Sequence, residues 1–108
     1  MGALFLEEIL KEELGRLGEA IGSYQREVHR LPRGSVQRKR IRGHIYPYLA
    51  VRDGDKVRYR YLGQLPREKL EELGKSIELR RRYQQLLGEA RANKERIEKM
   101  LHGKRRAV

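Results

Sequence analysis

The chain has no cysteine, and no apolar run in it approaches the ~18 residues that a membrane span requires. The first absence excludes disulfides, thiolate metal sites and a cysteine nucleophile. It also fits a reducing compartment, so a cytoplasmic location is expected. The second excludes a membrane-spanning helix, and no membrane partner is expected. The opening "MGALFLEEILKEEL" has no basic stretch before its apolar residues and turns acidic at once, so no signal peptide is expected. Serine occurs only at 23, 35 and 76, without a nucleophile motif, and His29, His44 and His102 stand apart with no metal-site spacing. "GEAIGS" at 18–23 follows helical sequence rather than a strand, so it is not a phosphate loop. These absences predict a protein that is not an enzyme and carries no cofactor or metal.

Acidic residues are scarce where basic ones gather. The 108 residues carry a net charge of +11, and charged residues make up 38% of them. Residues 1–30 hold four basic and six acidic groups. Residues 31–63 hold nine basic groups and only Asp53 and Asp55, and residues 64–108 hold thirteen basic and seven acidic groups. The positive field therefore lies in the middle third and the last part, and it favours polyanions, nucleic acid first and an acidic membrane surface second. The length fits one domain, and with a mean hydropathy of −0.85 the surface is large relative to the core.

Residues 1–31 read as a helix. Leu10, Leu14, Leu17, Ile21, Tyr24, Val28 and Leu31 follow alternating steps of four and three, a heptad seam. Glu7, Glu8, Glu12 and Glu13 crowd the early turns, where the helix dipole favours negative charge. Gly15, Gly18 and Gly22 each weaken the isolated helix by roughly 1 kcal/mol, so pairing must offset them. Residues 66–102 read as a second helix that opens at Pro66 with a stripe of Leu70, Leu73 and Ile77. A second seam is then expected through Leu79, Tyr83, Leu86, Ala90, Asn93, Ile97 and Met100, with Asn93 as the polar residue that fixes register. The shift between stripe and seam beside Gly74 predicts a kink or break near 74–77. Gly103 is expected to end the helix, which leaves 103–108 as a flexible basic tail. Paired antiparallel, the two seams give a coiled-coil hairpin. A three-helix globule would use the same apolar residues.

Between the helices, residues 35–63 read as a three-stranded antiparallel β-meander, with strands near Val36–Arg42, His44–Arg52 and Lys56–Leu62. The expected class is thus α+β. Pro47 implies a bulge, or a second strand that is not central. The faces depend on turn length, because a slip of one residue exchanges them. Three-residue loops, such as Arg52-Asp53-Gly54, would pair Ile41 with Ile45 and Leu49 with Val57. Tyr59 and Tyr61 would then point toward the helices. Arg38, Arg40, Arg42, Tyr46, Tyr48, Lys56, Arg58 and Arg60 would share an acid-free outer face. A two-residue loop at Asp53-Gly54 would instead gather Tyr46, Tyr48, Tyr59 and Tyr61 on one face and mix Ile45, Leu49 and Val51 with Arg58 and Arg60. The first register keeps guanidinium groups out of the core and is the expected one.

The eight residues of that outer face are the candidate nucleic-acid contacts. Arg and Lys neutralise phosphates, and Tyr46 and Tyr48 stack on bases or donate hydroxyls to phosphates. A solvated face that blocks edge-to-edge aggregation is the competing explanation, but such faces usually mix signs. The stretch "YPYLAVRDGDKVRYRYLG" at 46–63 also resembles meanders of small bacterial and archaeal proteins. It is similar as well to the start of some transposases and to the arm-DNA-binding sheet of tyrosine-recombinase integrases. Tyr46, Tyr48, Leu49, Arg52, Gly54, Lys56, Val57, Tyr61, Leu62 and Gly63 carry the likeness. None of the recombinases' catalytic parts is present, and the resemblance implies DNA association, with DNA ahead of RNA. The expected function is a non-catalytic nucleic-acid-binding accessory or regulatory protein. Its rival is a protein-interaction module in which the coiled coil or the basic face docks an acidic partner. Phe5, Leu6 and Ile9, off the main seam, provide for a homodimer or a protein partner through the helices.

Overall fold

The computed structural model describes residues 2–106, with side-chain surroundings from residue 4 to residue 103. Five elements follow in order: α1 (Gly2–Arg30), β1 (Ser35–Ile41), β2 (His44–Asp53), β3 (Lys56–Tyr61) and α2 (Arg67–Arg106). The protein is α+β, with a three-stranded antiparallel meander inserted between two helices. The chain gathers into two compact units, residues 1–28 with 82–108, and residues 29–81.

In the first unit, α1 buries the seam that its spacing sets. Leu17 is buried, and Leu10, Leu14, Ile21, Tyr24 and Val28 are half-buried. The Tyr24 and Tyr83 rings lie 5.9 Å apart, while Leu14 shares a hollow with Leu101. Contact therefore moves down α1 as it moves up α2, and the pair is antiparallel. Helix α1 begins at Gly2, so the early glutamates sit beyond the first turn, where the dipole has faded. Glu13 accepts a hydrogen bond from Arg16 Nε at 2.9 Å. That bond, with the guanidinium's charge, holds the Glu13 carboxyl below its usual range.

Helix α2 departs from the sequence reading. It is continuous from Arg67 to Arg106, with no break at 74–77 and no stop at Gly103. Its buried and half-buried positions include Leu73, Ile77 and Arg80 in one unit, and Tyr83, Leu87, Ala90, Ile97 and Leu101 in the other. Leu79, Asn93 and Met100, expected in the seam, are exposed, and Leu87 and Leu101 are buried instead. Asn93 fixes no register: its side-chain oxygen faces Arg96 at 3.5 Å. The cause of the apparent slip is Arg80. It occupies a stripe position, where a long side chain can lay its methylenes on the apolar strip and keep its charge outward. Reading that position as polar displaces the stripe to Leu79. At the C-terminal end, a glycine costs a helix only about 1 kcal/mol.

In the second unit, both hairpins close on two residues rather than three. Arg42 and Gly43 have φ of 52° and 82°, the left-handed pair of a type I′ turn, and Ile41 pairs with His44. In the next turn only Gly54 of Gly54-Asp55 has positive φ, at 66°, the pattern of a type II′ turn, and Asp53 pairs with Lys56. Primed turns match the right-handed twist of the strands they join, which is why they prevail over the expected three-residue loops.

Strand β2 is central, and it holds Pro47 without a bulge. The Leu62 N–H donates to the Pro47 carbonyl at 2.9 Å, one step past the last β2–β3 pair. The bond that Pro47 cannot return would have ended at the Leu62 carbonyl. That carbonyl instead accepts the Leu65 N–H at 3.0 Å, which starts the turn toward α2. The Pro66 carbonyl then accepts the Leu70 N–H at 3.1 Å and opens the helix. Leu31, Ala50, Leu62 and Ile77 are the buried residues of this unit. Gly34 has φ of 113°, and a Cβ there would lie 2.6 Å from the Ala50 carbonyl oxygen.

This packing ranks substitutions by their effect on stability. In urea unfolding, Leu17→Ala and Leu87→Ala, each under a tenth exposed, should cost about 2–4 kcal/mol. Leu79→Ala and Met100→Ala, 42% and 51% exposed, should cost less than about 1 kcal/mol. The reverse ranking would restore the expected seam. Separately, Gly34→Ala should destabilise by more than about 1 kcal/mol through strain and collision. Gly43→Asn, with no atom within 4 Å of its Cβ position, should cost a few tenths by the same measurement.

Candidate nucleic-acid interface

The register divides the predicted contact residues between two faces. Residues paired across antiparallel strands lie on the same side of a sheet. Val36 pairs with Leu49, Arg38 with Pro47 and Arg40 with Ile45, while Leu49 pairs with Arg60, Val51 with Arg58 and Asp53 with Lys56. One face therefore carries Arg38, Arg40, Lys56, Arg58 and Arg60 around an apolar centre of Val36, Pro47, Leu49 and Val51. The other face follows from the pairs Lys39–Tyr46, Tyr48–Tyr61, Ala50–Tyr59 and Arg52–Val57. It gathers Tyr46, Tyr48, Tyr59 and Tyr61. The expected single face of six cations and two rings does not form. Tyr46 and Tyr48 lie opposite Arg38, Arg40, Lys56, Arg58 and Arg60, and Arg42 sits in the first turn.

The first face is not acid-free. Asp53 belongs to it and accepts a 2.9 Å ion pair from Arg58 Nε. Both side chains are largely exposed, so the pair contributes about 0–1 kcal/mol and a phosphate can displace the carboxylate. The apolar centre lies toward α2: Val36, Arg38 and Pro47 share a hollow with Arg67, Leu70, Glu71 and Gly74. That packing resolves the objection to mixing aliphatic and guanidinium groups. The half-buried aliphatics are central, and the cations stand on the two edge strands and at the turn end.

On the second face the rings touch. The Tyr48 and Tyr61 centroids lie 5.5 Å apart, and those of Tyr46 and Tyr61 lie 6.3 Å apart. His44 approaches Tyr46 edge-on at 6.4 Å. Lys39 Nζ lies 3.7 Å from the Tyr59 ring centroid and 5.3 Å from that of Tyr48, so one ammonium covers two π-faces. Tyr59 and Tyr61 remain 50% and 44% exposed. Gly63 makes room for this arrangement, because a Cβ there would collide with the Tyr61 ring.

Sequence reading weighed the gathering of the four tyrosines on one face and preferred the other register, and it missed Lys39 as a member of the aromatic surface. The signal was the pair of turns, Arg42-Gly43 and Gly54-Asp55, which fix which residues face together. Edge strand β3 separates two chemistries along one line, with Lys56, Arg58 and Arg60 on one side and Val57, Tyr59 and Tyr61 on the other. Among the described residues no group of three or more His, Asp or Glu is placed to hold a metal ion. No described helix is long and apolar enough to cross a membrane. No family model matches the chain, and no curated protein or solved structure matches it either.

Proposed function

We propose that this chain is a non-catalytic, cytoplasmic nucleic-acid-binding protein that takes a single strand, DNA ahead of RNA, along the β3 edge of its sheet. The observation that carries this reading is the aromatic face: Tyr46, Tyr48, Tyr59 and Tyr61 side by side, with Lys39 over two of the rings. Exposed tyrosine rings offer stacking surfaces to unpaired bases, and every base has a π-face. Arg58 and Arg60 on the other side of the same strand, with Lys56, Arg38 and Arg40 beyond them, supply charge for phosphates. A net charge of +11 raises the encounter rate with any polyanion. The preference for DNA rests on the likeness of residues 46–63 to transposase and integrase sheets.

A second reading is favoured by a separate observation. Leu4 and Phe5 are 78% and 62% exposed, and Leu6 and Ile9 are exposed beside them at the start of α1. An accessory protein that docks on another protein through α1 accounts for these side chains, and it is compatible with strand binding elsewhere.

Fluorescence anisotropy with a thymidine oligonucleotide, its duplex and an RNA of the same length, across a salt series, tests the first reading. The parent should bind the single strand in preference to the duplex. Tyr59→Ala with Tyr61→Ala should weaken that binding by about 1–3 kcal/mol per ring that stacks, with the salt slope unchanged. Arg58→Ala with Arg60→Ala should instead lower the log–log salt slope by about 0.7 for each phosphate left unneutralised. Tighter binding of duplex, or indifference to the tyrosine substitutions, would overturn the aromatic-face reading.

A further inference from the structure

A cleft at the turn end of the sheet gathers four arginines, with Ala50 and Val57 of the tyrosine face in its wall. Arg33 and Arg52 reach it from the loop before β1 and from β2, and Arg80 and Arg81 reach it from α2. Ser35 and Gln37 add a hydroxyl and an amide to its wall. Its volume is about 310 Å³, and no carboxylate is among the described residues that line it. All these residues belong to the unit 29–81.

The local structure that brings them together is specific. Gly34, with its φ of 113°, lets the chain press against the Ala50 carbonyl, where a side chain would collide. That close approach sets Arg33 beside β2. Arg80 is half-buried on α2, is already engaged in the fold and lines the cleft. Arg81 is held by Glu78 at 2.8 Å, and this carboxylate is not among the lining residues. Arg33 and Arg52 bring two like charges to one cleft beside Arg81, and an anion among them offsets their repulsion. Guanidinium groups are planar forks that match phosphate oxygens two at a time and stay charged at any physiological pH. A monovalent carboxylate would leave most of those donors unused, whereas a phosphate group with several anionic oxygens employs them.

We propose that this cleft is a binding site for a phosphate group, gripped by Arg33, Arg52 and Arg81 with Ser35 and Gln37 as neutral partners and Arg80 as part of its wall. A free polyphosphate and a nucleic-acid backbone share that chemistry. The site adjoins the tyrosine face at its turn end, yet none of the four rings, Arg58 or Arg60 lines it, and it does not depend on base stacking.

Titration calorimetry of the full chain with inorganic tripolyphosphate tests the site. The parent should bind one equivalent saturably. Arg33→Ala with Arg52→Ala should weaken binding by about tenfold or more, as expected when charge-assisted bidentate hydrogen bonds are removed. Arg58→Ala with Arg60→Ala removes the same two charges away from the cleft and should change it less than about threefold. Arg33→Lys with Arg52→Lys, which keeps charge but not the fork, should fall between the two. Equal losses in the two alanine pairs, or no saturable binding by the parent, would overturn the proposal. Circular dichroism confirms folding of each variant, and the lysine pair decides the matter if the alanine pair unfolds. Competition by tripolyphosphate against a bound oligonucleotide assigns the phosphate to a nucleic-acid backbone; tripolyphosphate binding without competition assigns it to a free polyphosphate. Tyrosine variants that lose oligonucleotide while retaining tripolyphosphate concern the β3 edge alone.

Discussion

Left-handed backbone at Arg42, Gly43 and Gly54 is the constraint on which the surface chemistry depends. Each turn admits only the residues that can bear its torsions, and each fixes a pairing by closing on two residues. Once Ile41 opposes His44 and Asp53 opposes Lys56, the face of every strand residue follows. The tyrosines cluster because both turns are short, not because tyrosines attract one another from afar. Ring–ring and ammonium–ring attractions then reinforce the arrangement by about 0.5–1.5 kcal/mol apiece.

Much of the fold was legible in order and type. The α1 seam from Leu10 to Val28 shows in the spacing of its apolar residues, because a long amphipathic helix writes its burial directly into sequence. The three strands show in their alternation. The faces were not legible, since "RGH" and "RDGD" admit several turns that differ by one residue, and that residue reverses the sheet. Ruling out the observed register because aliphatics and arginines cannot share a face treats a face as uniform. In a three-stranded sheet the middle strand is sheltered by both neighbours and the edges are not. Pro47, Leu49 and Val51 on β2 are half-buried, while Arg38, Arg40, Arg58 and Arg60 on β1 and β3 are exposed.

Arg80 explains the other misreading and links it to chemistry. A hydrophobic template passes over a charged residue at a stripe position and finds Leu79 next door. The same half-buried residue is also part of the wall of the arginine-lined cleft. Lys39 repeats the lesson in the sheet, where a cation placed over tyrosine rings belongs to the aromatic surface although its letter reads as solvent. Basic residues in this chain are therefore of two kinds: those that stand clear in solvent and those whose stems are part of the packing.

Pro47 also bears on how the chain acquires its shape. By withholding one donor it halts the β2–β3 ladder and frees the Leu62 carbonyl for the turn toward α2. The meander is thus a self-limiting unit whose strands are consecutive, whose loops are as short as hairpins allow and whose end is set from within. Closing such loops costs little chain entropy, and hairpins form in about 1–10 μs. The partners in α1 and α2, by contrast, lie at opposite ends of the chain and must meet across a long loop. The contacts of the sheet are accordingly local in sequence and those of the helix pair distant, and the meander sets the length of chain that the helices must span.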